Sequence, residues 1–117
     1  MNSLKKFRVL KAKPFTVIVA RQVFGTLGSF RYQFGRSGSA RGELRQPFGV
    51  ATDGDVIAVV DSGNQRVQLF SMSGVWRGVF ESRREPLSQP RGVAFTADGH
   101  LLVADRNNHC IKKYRYK

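Results

Sequence analysis

The chain has 117 residues, of which 41% are hydrophobic and 12 are glycine, a composition typical of one small, turn-rich β domain. Its net charge of +12 is concentrated in residues 1–42, which hold nine Lys or Arg and no acid. The longest apolar run falls far short of the roughly 20 residues that a membrane-spanning helix needs, so the composition excludes such a span.

Cys110 is the only cysteine, which excludes an internal disulfide and agrees with a reducing compartment. One cysteine also cannot supply a zinc site of several Cys and His ligands. The amino terminus has the basic flank of a signal peptide, but Arg21 breaks the apolar stretch that follows, and a small-residue cleavage pattern is missing. We therefore expect a cytoplasmic protein that holds no metal or cofactor.

Residues 1–14 show no hydrophobic period and end at Pro14, which predicts a flexible basic arm. Three roles remain open for it: binding of polyanions, organelle targeting, and solvation alone.

Residues 15–42 predict a partial β unit followed by a connector. Branched and aromatic side chains favour strands at 15–24 and 29–34, and glycines between them favour a turn. Because Val23 and Phe24 match Leu69 and Phe70 at a spacing of 46, we expect this unit to keep only its last two strands.

Two later stretches repeat each other. At a spacing of 43 or 44 residues, the pairs are Pro47 with Pro90, Gly49 with Gly92, Val50 with Val93, Asp61 with Asp105, Asn64 with Asn108, Val67 with Ile111 and Phe70 with Tyr114. A period of this length with several short apolar runs indicates a propeller or a solenoid. We expect one unit at 43–86 with four strands and a second at 87–117 with three.

The turns between the predicted strands are chemically specified. Asp61-Ser62-Gly63-Asn64 offers a side-chain acceptor and an asparagine that tolerates the left-handed region, which suits a tight hairpin. Because Asp61, Asn64 and Asp105 recur at the period of the fold, we interpret them as structural turn residues rather than as an acid-base pair.

The sequence Pro-x-Gly-Val-Ala, followed by an Asp-Gly turn, a Val-Ala-Asp strand, Asn-His and Ile-x-x-Tyr, resembles the NHL repeat of β-propellers. It resembles in particular the propeller of tripartite-motif (TRIM-NHL) proteins, and the likeness covers residues 35–114. Cys110 stands where the family has leucine, and the first unit has Asn64-Gln65-Arg66 instead of the signature.

The resemblance implies an all-β fold, an incomplete β-propeller of four-stranded antiparallel blades with about two blades and a partial one. It also implies a non-enzymatic module that binds a protein partner, as part of an assembly of the ubiquitin-ligase type. The RING modules that give such assemblies their activity have no counterpart in this chain.

A propeller needs four to eight blades. We therefore expect that the chain is a segment of a longer protein, that copies of it assemble into a ring, or that a marginal stack associates through its edges. The isolated polypeptide is not expected to behave as a compact monomer.

Alternate turns of a meander lie on opposite faces, and this parity sorts the charges. One face collects the connectors, the middle turns and most arginines, whose planar donor groups match phosphate and carboxylate. The candidate residues for binding a polyanion or a protein partner are Arg45, Phe48, Arg66, Arg83, Arg84, Arg91, Arg106, Asn108 and His109. The other face collects Asp53, Asp55 and Asp98 with no base.

Three interpretations of this arginine-rich face remain open: solvation of a sheet edge, an acidic protein partner, and RNA.

Overall fold

The computed structural model describes residues 36–116, together with the backbone of four strands at 10–12, 16–19, 22–24 and 30–33. The rest of the predicted basic arm and the predicted turn after Phe24 lie outside the described residues. The strands are β1 (Leu10–Ala12), β2 (Thr16–Val19), β3 (Gln22–Phe24), β4 (Phe30–Gln33), β5 (Pro47–Thr52), β6 (Val56–Asp61), β7 (Arg66–Ser71), β8 (Trp76–Phe80), β9 (Pro90–Phe95), β10 (His100–Asp105) and β11 (Cys110–Arg115).

The strands form three antiparallel meanders in which consecutive strands are neighbours. The first sheet contains β1 to β4, the second β5 to β8 and the third β9 to β11. Short 3-10 turns at Ser62–Asn64 and Arg106–Asn108 join the middle strands of the second and third sheets. The prediction of an all-β fold with antiparallel blades is confirmed, and every strand predicted in the two repeat units is present.

The first sheet differs from the prediction of two strands, because β1 and β2 precede β3 and β4. β1 lies within the segment predicted to be an arm, with Leu10 opposite Ile18. Local sequence signals for β1 are weak, since a strand of three residues is stabilised by the neighbour with which it pairs rather than by its own propensity.

The first strands of the three sheets lie side by side, with β5 between β1 and β9, as in consecutive blades of a propeller. One apolar cluster packs on one side of the second sheet and contains Leu44, Val50, Ile57, Val59 and Phe70. A second cluster fills the space between the second and third sheets and contains Ala58, Val60, Val67, Leu87, Leu101 and Val103.

Burial of both faces explains why β6 is a continuous apolar strand. Residues 57–61 of β6 are all buried, whereas burial alternates along β10. A strand with neighbours on both sides of its sheet gains from apolar residues at every position, but a strand with one covered face needs them only at alternate positions. The second sheet is therefore the packed centre of the described structure. Within the described residues, no helix is long and apolar enough to cross a membrane.

Gly49 marks a close approach between the second and third sheets. A β-carbon at this position would collide with the backbone carbonyl oxygen of Arg91, and it would also crowd Gly92 and Val60. The absence of a side chain at Gly49 therefore allows β5 and β9 to lie against each other.

Substitution Gly49→Ala should push β5 away from β9 and lower the free energy of unfolding by about 1–3 kcal/mol, because backbone atoms cannot yield to a methyl group. Gly78→Ala in β8 is the matched control, since a β-carbon there meets no atom, and it should change stability by less than about 0.5 kcal/mol. Thermal unfolding at one fixed protein concentration checks both. Equal effects of the two substitutions would contradict the proposed contact.

Candidate interaction face

A fully buried carboxylate organises the unit at 43–86. Because the partial unit at 15–42 precedes it, this unit is called the second unit and the unit of β9 to β11 the third. Oδ1 of Asp61 accepts a hydrogen bond from the backbone N–H of Arg45 at 2.6 Å. Oδ2 accepts from Asn64 Nδ2 at 2.9 Å, Arg66 Nε at 2.8 Å and Gln68 Nε2 at 3.2 Å. Because the lone pairs of the carboxylate are used in this way, Asp61 ties the middle turn to the connector that precedes β5.

Arg66 extends this network into the connector. Its side chain is buried beside Asp61, and Nη2 donates to the carbonyl oxygens of Ala40 and Glu43, both at 2.9 Å. The guanidinium group therefore stabilises the connector from inside the protein. This placement differs from the expectation that Arg66 faces a partner, and we leave it out of the proposed binding residues.

Gln68 completes the network and is also fully buried. Its Nε2 donates to the carbonyl oxygen of Glu43 at 2.7 Å, and its Oε1 accepts from the backbone of Gly42 at 3.0 Å and from Trp76 Nε1 at 2.9 Å. Both polar atoms of the amide form hydrogen bonds, so Gln68 joins the connector to β8 without the free-energy penalty of an unpaired buried polar atom.

The third unit repeats the device with different donors. Oδ1 of Asp105 accepts from the backbone N–H of Ser88 at 2.7 Å. Oδ2 accepts from Asn108 Nδ2 at 2.6 Å and from Lys112 Nζ at 3.2 Å. In this unit the ammonium group of Lys112 stands where the second unit has the amide of Gln68.

These hydrogen bonds change the titration of Asp105. Burial raises its pKa, but the hydrogen bonds from Asn108, the backbone of Ser88 and Lys112 lower it by more. The net pKa lies below its ordinary value, so the folded protein favours the charged carboxylate.

The two middle turns end in the left-handed region, at Gln65 with φ 55° and at His109 with φ 52°. The sequence predicts that asparagines hold this conformation, but the structure places it one residue later. Asn64 and Asn108 instead use their side chains, donating to the aspartates and to the carbonyl oxygens of Gly38 and Pro86. His109, which follows Asn108 at the end of the turn, is exposed.

We use the name connector face for residues 36–46 and 81–89, the turns at 62–65 and 106–109, and the first two residues of β5 and β9. The hydrogen bonds of Asp61 and Asp105 join connectors to middle turns, which places these segments together as the meander parity predicts. The arginines with exposed side chains on this face include Arg45, Arg83, Arg84, Arg91 and Arg106. Within the described residues, none of these five guanidinium groups forms an ion pair or donates a hydrogen bond.

Two guanidinium groups on the connector face lie over aromatic rings. Arg91 stacks on Phe48 at 4.0 Å from the ring centroid, and Arg41 lies over Trp76 at 4.9 Å. The first pair joins β9 to β5 and so crosses the boundary between two units. Stacking restricts the guanidinium group but leaves its N–H edges available to an anion.

The acids on the connector face do not balance its arginines. Asp61 and Asp105, which border this face, are buried and engaged, and Glu43 accepts a hydrogen bond from the backbone of Ala40 at 3.0 Å. Glu81 and Glu85 are the exposed acids among the described residues of this face. A positive surface remains.

The opposite face contains the turns at 53–55, 71–74 and 96–99. Here the hydroxyl of Tyr116 donates to Asp53 Oδ2 at 2.7 Å. Burial, and to a smaller extent this hydrogen bond, raises the pKa of Tyr116 to about 12. Asp53, Asp55 and Tyr116 border an open depression of about 600 Å³ that Arg77 also lines. The sequence predicts no base on this face, but the structure places Arg77 in the lining of the same depression as Asp53 and Asp55.

Comparisons of the sequence with known proteins point to the same repeat. The family model described as the NHL repeat matches residues 87–114. The chain is 34% identical over 99 residues to NHL-repeat-containing protein 4 of Mus musculus, which covers 83% of this chain and 63% of that protein. It is 41% identical over 63 residues to the E3 ubiquitin-protein ligase TRIM32 of Homo sapiens, which covers 54% of this chain and 9% of that protein.

Residues 87–114 form an NHL repeat, and the chain is similar to NHL-repeat proteins over most of its length. The mouse form of TRIM32 gives a similar match, with 40% identity over 63 residues and 9% of its length covered. The chain thus spans less than two thirds of the length of each of these relatives. Its match to TRIM32 covers 9% of that protein.

Sequence reasoning missed three features of these NHL units. The burial of Gln68 is one of them, because a glutamine inside a strand carries no sequence signal of its own burial. Leu44 and Leu87 are buried beneath the connectors, and Gln46 and Gln89 adopt positive φ. Their signal was available, since Leu-x-Gln-Pro occurs twice at a spacing of 43 residues.

Within the described part of the chain, no three His, Cys, Asp or Glu side chains are arranged to hold a metal ion. Cys110 is a free and exposed thiol in the position that Arg66 occupies in the preceding unit.

Acid should destabilise the third NHL unit through Asp105. Because the folded pKa of Asp105 lies below its ordinary value of 3.8, its stabilising contribution is present above about pH 4 and is lost as the pH falls through the folded value. The thermal unfolding midpoint should therefore fall between about pH 5 and pH 2, and less steeply in Asp105→Asn. Asp98 should leave part of the slope in the variant, since hydrogen bonds from Thr96 and His100 hold its pKa at about 2. Equal slopes for wild type and variant would contradict this account.

Proposed function

We propose that this chain is a non-enzymatic interaction module that binds a protein partner through the connector face. The observation that carries the proposal is the set of exposed arginines on that face whose head groups have no ion-pair partner within the described residues. Cationic donors held on ordered loops favour association with an anionic partner, because electrostatic complementarity raises the association rate and selects the partner.

The partner-binding residues that we propose are Arg45, Phe48, Arg83, Arg84, Arg91, Arg106, Asn108 and His109. Arg45 and Arg91 are central to the proposal, since both are exposed, Arg45 two residues before β5 and Arg91 as the second residue of β9. Asn108 is included because it lies on this face. Its side-chain amide already donates hydrogen bonds to Asp105 and to the carbonyl oxygen of Pro86.

The buried carboxylates support a structural rather than a catalytic role. Asp61 and Asp105 accept hydrogen bonds from several neighbours, so neither is available to move a proton on a substrate. We also propose that the module serves substrate recognition in an assembly of the ubiquitin-ligase type, because the similar protein TRIM32 is named an E3 ubiquitin-protein ligase. The exposed thiol of Cys110 fits a reducing compartment, which supports a cytoplasmic location.

RNA is the second candidate partner, favoured by the same guanidinium groups, since arginine binds phosphate as well as carboxylate. The two candidates respond differently to salt. RNA binding through phosphates weakens log-linearly as salt rises, and each lost phosphate contact lowers the slope.

Affinity capture from a nuclease-treated cell extract tests the proposal with two variants of equal charge. The connector-face variant is Arg45→Gln with Arg91→Gln. The opposite-face variant is Arg77→Gln with Lys113→Gln, since Arg77 lines the depression beside Asp53 and the charge of Lys113 acts on Asp98. We expect a set of proteins that wild type and the opposite-face variant retain and that the connector-face variant loses, because only the latter removes guanidinium groups from the proposed surface. Retention should be measured by quantitative mass spectrometry.

Two results would count against a protein partner. Identical retention by both variants would show that the connector face is not the binding surface. Loss of all bound protein after nuclease treatment, together with salt-dependent RNA binding by the chain itself, would favour the RNA candidate.

A further inference from the structure

We infer that the connector face binds an acidic segment of its partner, with Arg45 and Arg91 as the residues that take its carboxylates. This inference rests on the proposed function and adds the chemical class of the partner. The occupant is an extended protein segment rich in Asp or Glu, and a single-stranded nucleic acid is the competing occupant that the test must separate.

The backbones of both arginines are fixed before any partner arrives. The N–H of Arg45 donates to Asp61 at 2.6 Å, and its carbonyl oxygen accepts from the backbone of Gly63 at 2.8 Å. Arg91 lies in β9, where its carbonyl packs against Gly49. Little backbone entropy is lost when an anion is bound by residues that are already ordered.

Both head groups can offer donors to a carboxylate. The guanidinium carbon of Arg91 lies 4.0 Å from the centroid of the Phe48 ring, and Arg45 is exposed. A guanidinium group binds a carboxylate through two parallel hydrogen bonds, and such charge-assisted pairs are stronger than neutral ones.

Exposed amides lie next to these arginines in both units. Gln46 follows Arg45, Gln89 precedes Arg91 by two residues, and both glutamines are exposed with positive φ. An amide side chain offers a donor and an acceptor, which matches the backbone of an extended peptide. Each unit thus presents one amide and one guanidinium group near the start of its first strand, with the glutamines at equivalent positions and the arginines at different ones.

The aromatic residues argue against single-stranded nucleic acid. Proteins that bind single strands use open aromatic rings on which bases stack. Phe48 is covered by Arg91 and Trp76 by Arg41, and within the described residues every Phe, Tyr and Trp is buried or half-buried. The connector face therefore offers positive charge without an open stacking platform, a combination that favours an acidic protein segment.

Fluorescence anisotropy with defined probes tests the inference on the full chain. The probes are a labelled oligoglutamate peptide, an oligoglutamine peptide of the same length and a labelled oligouridine RNA, all at physiological salt. Oligoglutamate should bind more tightly than the other two. The connector-face variant should weaken oligoglutamate binding by about tenfold or more, as expected for the loss of central interface residues.

Two comparisons keep the test specific. The opposite-face variant removes the same charge and should retain oligoglutamate affinity within about twofold, because rim and remote charges contribute little to affinity. A third variant, Arg45→Lys with Arg91→Lys, keeps the charge but removes the planar fork, and it should bind at an affinity between wild type and the connector-face variant. Thermal unfolding midpoints of all variants establish that each is folded.

The outcomes separate this inference from the proposed function. If oligouridine binds more tightly than oligoglutamate and the connector-face variant weakens it, the acidic-segment inference is overturned while the connector face stands as a binding surface. If the connector-face variant loses no more affinity than the opposite-face variant for any probe, both the inference and the proposed surface are overturned.

Discussion

A buried aspartate at the end of the second strand binds the connector in both the second and the third unit, and each of these units depends on this interaction. Asp61 binds the backbone of its connector and receives three side chains from the following turn and strand. Asp105 binds its own connector in the same way through Ser88. A charge buried without partners is costly, so these carboxylates hold the connectors in one arrangement. The backbone of the connector face is therefore fixed by hydrogen bonds to buried groups, although its arginine side chains are exposed.

This constraint divides the arginines of the second unit between structure and surface. Arg66 turns inward and binds Asp61 with the connector carbonyls, whereas Arg45 offers its backbone to the same carboxylate and leaves its head group outside. Composition and charge cannot distinguish Arg45 from Arg66. Their roles differ because Arg66 begins a strand whose first side chain points beneath the connector, while Arg45 lies in the connector itself. The positive surface that remains is held in place from below.

The repeat period made the fold predictable, because residues that recur at 43 or 44 positions mark equivalent strands and turns. It also assigned Asp61 and Asp105 to turns. The period could not reveal β1, whose pairing with β2 depends on a neighbour rather than on its own residues. Nor could it reveal the burial of Arg66 and Gln68, since the third unit has Cys110 and Lys112 at those positions. Side chains that differ between repeats carry no periodic signal, so their contacts emerge only from the structure.

Hydrogen exchange in wild type and Asp61→Asn tests most directly whether this carboxylate holds the connector. In the wild type, the amide hydrogens of Arg45, Gly42 and Gly63 should exchange slowly, because each donates a hydrogen bond within the network. In the variant these amides should exchange faster by about tenfold or more, while those of β10 keep their protection. Unchanged exchange at Arg45 and Gly42 in the variant would contradict the account.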